Sequence, residues 1–187
     1  MSKVAISGNA SGTGVFTVAS PNSNVDRVLT LPDETGTVLT TVTGGIPING
    51  PAFSAYISAN QSITTGTWTK VACNTEEFDT AGAYDNATNY RFTPQVAGYY
   101  QVSGGIVSTV ASTLIISQVY KNGVAFKKLG DLRATVSAYT GAFGTALIYL
   151  NGSTDYLELF GYIAGTSPYI SVGGIDNYFQ AFLARSA

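Results

Sequence analysis

The residues with the greatest chemical potential are the carboxylates of a short acidic cluster, Glu76, Glu77 and Asp79, followed by Asp85. Carboxylate oxygens are preferred ligands of Ca²⁺, and a suitably spaced pair of carboxylates hydrolyses glycosidic bonds. The cluster is therefore read as a calcium site, as half of a glycosidase pair, or as a solvated loop with no chemistry. We favour the solvated loop, because Asp and Glu lie mostly on protein surfaces.

Other catalytic residue types are missing or unsupported. The chain has no histidine, which removes the commonest member of catalytic triads and zinc sites. The single cysteine, Cys73, stands in a V-A-C run typical of a small buried hydrophobe. Residues 8–14 are glycine-rich but lack the lysine of a phosphate-binding loop. We expect a protein that is not an enzyme, and a polysaccharide-degrading activity is the least favoured interpretation.

The aromatic side chains are candidates for binding contacts with a partner and not for catalysis. Trp68, between two threonines, suits a sugar-stacking platform, although a core or interface position is the interpretation we favour. The chain also contains twelve tyrosines. On a weakly charged surface, tyrosines provide the large, rigid, amphipathic contacts of adhesive loops.

The composition limits the partners. Charged residues make up 11% of the chain, against a usual value of about 25%, and the net charge is −2. Electrostatic capture of nucleic acid or anionic lipid is therefore not expected. The N-terminus lacks the apolar run of a secretory signal, and the apolar run at 146–150 is too short to cross a membrane. We expect no nucleic-acid partner, no membrane insertion and synthesis without export.

Clusters of the turn- and loop-forming residues Gly, Pro and Asn divide the chain into a β-rich segment at 1–43, a linker at 44–50 and a larger domain at 51–187. The first segment contains strand-like pieces at 15–19, 27–31 and 37–41. It has too few large apolar residues to form a core alone. The segment is therefore either a flexible tail or is stabilised by intertwining with copies of itself. We favour intertwining, because the strand pieces are well formed and disordered tails normally carry more charge.

The larger domain reads as all-β, with about ten strand candidates and turn signals roughly every ten residues. Phe92-Thr93-Pro94 predicts the end of a strand, Gly98 a tight turn, and Tyr99 the start of the next strand. Asn122-Gly123 and Asn151-Gly152 predict hairpin turns, because type I′ turns need positive φ at both central positions.

Several strands are apolar on both faces, whereas a two-sheet sandwich covers only one face of each sheet. An uncovered second face would be an exposed apolar patch, so we expect subunits to associate. The candidate interface residues are large aromatics of these two-faced strands and of the opening strand, namely Phe53, Tyr156, Phe160, Tyr162, Tyr178 and Phe182.

Four stretches resemble the globular head of complement component 1q and its relatives. They are P-A-F-S-A at 51–55, N-Y-R-F-T-P-Q-V-A-G-Y-Y-Q-V at 89–102, Y-K-N-G at 120–123 and Y-F-Q-A-F-L at 178–183. The resemblance implies a ten-strand jelly-roll sandwich, shared with the tumour necrosis factor family, that assembles as a homotrimer. Thr154-Asp155 replaces the family's G-D and Gln180-Ala181 its S-G, and neither change breaks a strand. Some family members bind calcium, but no metal ligand can be assigned here to specific residues. We expect no cofactor and leave calcium open.

Residues 28–41, V-L-T-L-P-D-E-T-G-T-V-L-T-T, resemble an element of bacteriophage tail-fibre and other virion structural proteins. Together the two resemblances imply a phage virion protein, made in the host cytoplasm and located in a tail fibre or on the capsid surface. Its head would attach multivalently to a host-surface glycan or protein, and its N-terminal segment would bind other virion proteins. The alternative is a purely architectural component that binds only virion proteins.

Overall fold

A computed structural model describes residues 11–15, 17, 22, 24–26, 28, 50–136 and 138–187. The chain divides into two compact units, Met1–Val38 and Leu39–Ala187. The strands expected at 15–19, 27–31 and 37–41 lie outside the described residues except for Val15, Thr17 and Val28. The expected linker also lies outside them, except for Gly50.

The described part of the larger unit, which we call the head, is built from β-strands. They are β1 Ala52–Tyr56, β2 Gln61–Ser62, β3 Thr69–Lys70, β4 Thr75–Asp79, β5 Tyr84–Asp85, β6 Arg91–Phe92, β7 Ala97–Ser108, β8 Ser112–Lys121, β9 Val124–Val136, β10 Thr140–Asn151, β11 Leu157–Gly165, β12 Tyr169–Ile170 and β13 Tyr178–Ser186. This number exceeds the expected ten because five of these strands have only two residues. No helix long and apolar enough to cross a bilayer occurs among the described residues.

Two sheets pack face to face. One has five strands in the order β10-β7-β13-β1-β4, and the other has the order β5-β6-β11-β8-β9, with β3 also paired to β11. The pairs along both sheets are antiparallel, and β12 pairs with β2 separately. The chain repeatedly crosses between the sheets, as in a jelly roll. The all-β jelly-roll prediction is therefore confirmed.

The core lies between the sheets, on the inward faces that the two-residue periodicity predicts. Tyr100, Val102 and Ile106 of β7 are buried, as are Leu157 and Leu159 of β11. These side chains face each other across the sandwich and exclude water from its centre.

A ring cluster closes one end of this core around Phe53. The Phe53 ring stacks on Tyr84 at 4.5 Å and on Phe92 at 4.6 Å, and it meets Phe179 edge-on at 5.1 Å. Phe53 is 1% exposed. The Phe53 side chain is therefore buried within its own subunit and is not available to contact a neighbouring one, contrary to the prediction.

The two predicted hairpin turns differ in outcome. Asn122 and Gly123 have φ values of 55° and 77° and join β8 to β9, as predicted. Asn151 instead ends β10, and the chain then crosses to β11 in the other sheet. The Asn151 side-chain oxygen accepts hydrogen bonds from the backbone N–H groups of Ser153, Thr154 and Asp155. The hairpin prediction at Asn151-Gly152 is therefore wrong, because an Asx-type turn uses the same residue types.

Gly98 lies inside β7 rather than in a turn. A Cβ at this position would stand 2.4 Å from the carbonyl oxygen of Arg185 and 2.6 Å from Leu183 Cδ1. The glycine is needed for the close approach of β7 to β13. The strand end after Phe92 is as predicted.

Candidate interaction faces

The solvent side of the five-stranded sheet, which we call the β7 face, carries a band of exposed large apolar side chains. Tyr99 projects from β7, and its partners on β10 and β13 project in the same direction. The members of this band are Phe78, Tyr99, Phe143, Leu147, Tyr149 and Phe182, each between 43% and 60% exposed. A band of this kind on a single chain marks an interaction surface.

The β7 face is ordered in rows that cross the strands. Tyr149 pairs with Tyr99, and their rings lie 5.5 Å apart. In the next row Leu147 and Phe182 flank Gln101 from either side. The strand register therefore brings together apolar side chains that are distant in sequence.

A third row depends on a glycine. Phe143 and Tyr178 both pair with Gly105, and their rings stack at 6.1 Å. A Cβ on Gly105 would stand 2.0 Å from Phe143 Cδ1. Gly105 therefore provides the space over which the Phe143 ring lies.

Two grooves open on the β7 face. One, of about 540 Å³, is lined by Tyr99, Leu147 and the last residues of the chain, 184–187. The other, of about 160 Å³, runs between Phe78 and Phe182 over polar side chains that include Gln101. Both have mostly apolar walls, so each suits a side chain of a neighbouring subunit better than a charged ligand.

The remaining interface candidates divide between two surfaces. Tyr178 and Phe182 lie on the β7 face. Phe160 and Tyr162 lie on the outer side of the six-stranded sheet, which we call the β11 face. Tyr156 precedes β11, and its ring lies beside the Arg91 guanidinium of β6. Phe182 is the one band member among the predicted candidates, although the sequence of β10 has apolar residues at both alternating sets of positions. The members that the prediction missed are Phe78, Tyr99, Phe143, Leu147 and Tyr149.

The β11 face holds a cluster of half-buried aromatic rings. Tyr120 stacks on Phe160 at 3.8 Å, and Trp68 lies 5.3 Å from Tyr162 and 6.3 Å from Tyr120. Trp68 reaches this face because β3, which follows it, pairs with β11. The cluster is continuous and keeps part of each ring in contact with solvent.

Paired charges lie beside these rings. Lys70 and Glu158 form an ion pair at 2.5 Å, and the Glu158 side chain is 6% exposed. The Lys70 ammonium also donates to the Asn89 carbonyl at 3.2 Å. The Arg91 guanidinium lies 4.6 Å from the Tyr156 ring centroid. Each of these charges near the aromatic cluster therefore has a partner within the chain.

The acidic cluster lies on the edge strand β4, so the loop expected there is wrong. Glu77 accepts a hydrogen bond from the Ser54 hydroxyl at 2.7 Å. Asp79 accepts from the N–H groups of Ala81 and Tyr84 at 3.1 and 2.8 Å. Burial, and then the charge of Asp79, raise the pKa of Glu76. Glu77 therefore links β4 to β1 through Ser54, and Asp79 organises the backbone of the turn that follows β4.

Asp85 also serves a loop. It accepts from the N–H groups of Ala87, Thr88 and Asn89 and from the Asn89 side-chain amide at 2.6 Å. These bonds, the Thr88 bond foremost, lower its pKa to about 2. Within the described residues, no group of three or more Cys, Asp or Glu side chains is close enough to hold a metal ion.

Comparison with known proteins finds matches among solved structures only. The chain matches no family model and no curated protein sequence. The globular domain of zebrafish complement 1qA is similar with a TM-score of 0.53 and 19% identity, over 74% of this chain and 99% of that domain. Murine APRIL is similar with a TM-score of 0.57 and 9% identity, over 72% of this chain and 98% of that one. Eiger TNF from S. frugiperda is similar with a TM-score of 0.57 and 9% identity, over 74% of this chain and 93% of that one.

The head has the complement 1q and tumour necrosis factor jelly-roll fold. This conclusion combines the sheet order with near-complete coverage of three independent domains. At these identities the likeness concerns the fold alone, because one fold hosts many functions. The function of this jelly-roll head must therefore be argued from its two faces.

Proposed function

We propose that this chain is a non-enzymatic, adhesive structural protein of a bacteriophage virion, with a homotrimeric head. The main observation is the β7 face, whose six exposed large apolar side chains a single chain leaves uncovered. Copies of the same chain are the simplest cover, because a closed cyclic assembly buries the same patch on every subunit.

The N-terminal segment supports self-association independently of the head. Val15 and Val28, two of its valines that the structure describes, are each 91% exposed. Intertwining with copies of itself would bury such side chains, whereas a lone segment of this length cannot. This segment would also bind other virion proteins, and its resemblance to a phage virion element supports that role.

Adhesion follows from threefold assembly. Three identical heads present three copies of any contact surface, so weak single contacts become strong through effective concentration. The structural roles of Glu77, Asp79 and Asp85 support a binding role over a hydrolytic one. The partner would be a glycan or protein on the host surface.

Light scattering coupled to size-exclusion chromatography tests the proposal. We expect a mass three times that of one chain, and a stable monomer would contradict the trimer. The isolated trimer should bind host cells and compete with the phage for attachment. Failure to bind cells, together with capture of virion proteins, would favour the architectural alternative. Labelling of purified virions with an antibody to this chain tests its location in a tail fibre or on the capsid surface.

A further inference from the structure

We propose that the β11 face is a binding platform for a neutral saccharide, formed by Trp68, Tyr120, Phe160 and Tyr162. This assignment depends on the proposed adhesive function and names the contact surface and the ligand class. It concerns a different surface from the β7 face, which we assign to assembly.

The polar ends of the aromatic side chains on the β11 face have no hydrogen-bond partner in the part of the chain that the structure describes. Among the described residues, the Trp68 Nε1 and the hydroxyls of Tyr120 and Tyr162 make no hydrogen bond within the chain. The core tyrosines behave differently, since the Tyr84 and Tyr100 hydroxyls donate to backbone carbonyls at 3.0 and 2.7 Å. The polar ends of the β11-face aromatics are therefore free to bond a ligand.

A polar side chain lies directly beside the stacked rings of the β11 face. Gln118 pairs directly with Phe160 across β8 and β11. Its amide likewise has no partner among the described residues, so a donor and an acceptor stand next to the stacked Tyr120–Phe160 pair. A pyranose presents C–H groups on its faces and hydroxyls around its rim. Rings that alternate with unpaired donors and acceptors match that pattern.

Charge distinguishes a saccharide from other ligands of aromatic surfaces. Nucleic-acid bases also stack on such rings, but their phosphates require unpaired cations. Lys70 is paired with Glu158, and Lys128 on the neighbouring strand is paired with Asp131 at 2.6 Å. The cation that pairs across from Phe160 is therefore offset by its own carboxylate, and Arg91, which lies over the Tyr156 ring at the edge of the face, has no carboxylate partner among the described residues. A single offset cation beside the four rings favours an uncharged sugar over an anionic polymer.

The two sheet faces differ in a way that fits two roles. The β7 face carries phenylalanine and leucine that are roughly half exposed, which suits burial by another subunit. The rings of the β11 face contact one another, and each is only partly exposed. Such a preorganised surface loses little conformational entropy on binding a ligand.

Trp68 gives a direct test, because it is the only tryptophan in the chain. We would screen the full-length trimer on an array of neutral bacterial O-antigen polysaccharides and titrate each hit while recording tryptophan fluorescence. A saturable change in the Trp68 emission is expected. Retention of a polysaccharide with unchanged Trp68 emission would overturn the platform assignment.

Matched variants locate the contact. Tyr162→Ala should weaken polysaccharide retention about fivefold or more, which is the effect of removing one aromatic ring that stacks on a nucleic-acid base, the nearest measured analogue. Tyr162→Phe, which keeps the ring, should weaken it less. Tyr139→Ala removes an exposed ring from a loop off both faces and should bind as the wild type does. Equal binding by wild type and Tyr162→Ala would overturn the assignment.

Different experimental results would contradict the saccharide platform and the adhesive function. A trimer that binds host cells but retains no polysaccharide on the array would overturn the platform and leave adhesion intact, with a protein as the receptor. A chain that neither trimerises nor binds cells would overturn the adhesive proposal itself.

Discussion

Gly144 lies so close to Leu129 that a Cβ on Gly144 would stand 2.0 Å from the Leu129 carbonyl oxygen. The two residues belong to β10 and β9, which are edge strands of different sheets. Gly130 of β9 is similarly close to β10, since a Cβ added to Gly130 would stand 2.6 Å from the backbone nitrogen of Phe143. The two sheets therefore meet backbone to backbone along this side of the sandwich.

Gly144→Ala should destabilise the head, because the atoms it would displace are backbone atoms that cannot rotate away. We expect a loss of about 1–3 kcal/mol, the usual cost of overpacking, and a melting temperature lower by several degrees. Gly14→Ala, outside the head, is the control for the same chemical change, because its added methyl group meets no atom of its own chain within 4 Å. Equal melting temperatures for Gly144→Ala and the wild type would contradict the close approach.

The faces of individual strands were predictable from the sequence. Tyr100 and Val102 alternate with Tyr99 and Gln101, and the structure places the first pair in the core and the second pair in solvent. This succeeds because a strand sends successive side chains to opposite faces. The fold class follows from the same pattern, repeated with turn signals.

The neighbours of each strand were not predictable in the same way. Phe53 was expected at an interface, because the alternation does not say which of two apolar faces points inward. Phe160 and Phe182 likewise belong to different sheets, and only the strand order separates them. Long-range pairings such as Leu147 with Gln101 depend on register, which local residue types leave open.

Leu147→Glu should dissociate the proposed trimer, because it would place a carboxylate in the apolar band of the β7 face, and Phe182→Glu would place one in a groove whose described lining residues include no cation. Burying one unpaired charge costs several kcal/mol, and the cost would recur in each subunit. Light scattering should therefore report a monomer, with Phe182→Glu behaving alike. Val172→Glu is the control, since Val172 is similarly exposed in a loop off the β7 face. A trimer of wild-type stability from Leu147→Glu would exclude this face as the interface.

Cys73 should remain unreactive in the folded protein. Its side chain is fully buried, and this burial raises the pKa of the thiol to about 12. Since the thiolate is the reactive species, a chromogenic disulfide reagent should label Cys73 only after denaturation. Rapid labelling under native conditions, with the circular dichroism of the folded state retained, would contradict the burial of Cys73.

We expect the stability of the head to depend on pH through the Asp85 carboxylate. Its folded-state pKa of about 2 lies below the value of about 3.9 expected in the unfolded chain. A lowered carboxyl pKa contributes its full stabilisation when the pH is above the pKa of the unfolded state, and this contribution is lost as the pH falls toward the pKa of the folded state.

Asp85→Asn keeps one acceptor oxygen but lacks the charge, so it should be less stable than the wild type near neutral pH. The difference in melting temperature between the two proteins should shrink as the pH falls from about 4 to about 2. A difference that stays constant across that range would show that the hydrogen bonds to the 85–89 loop do not depend on the carboxylate charge.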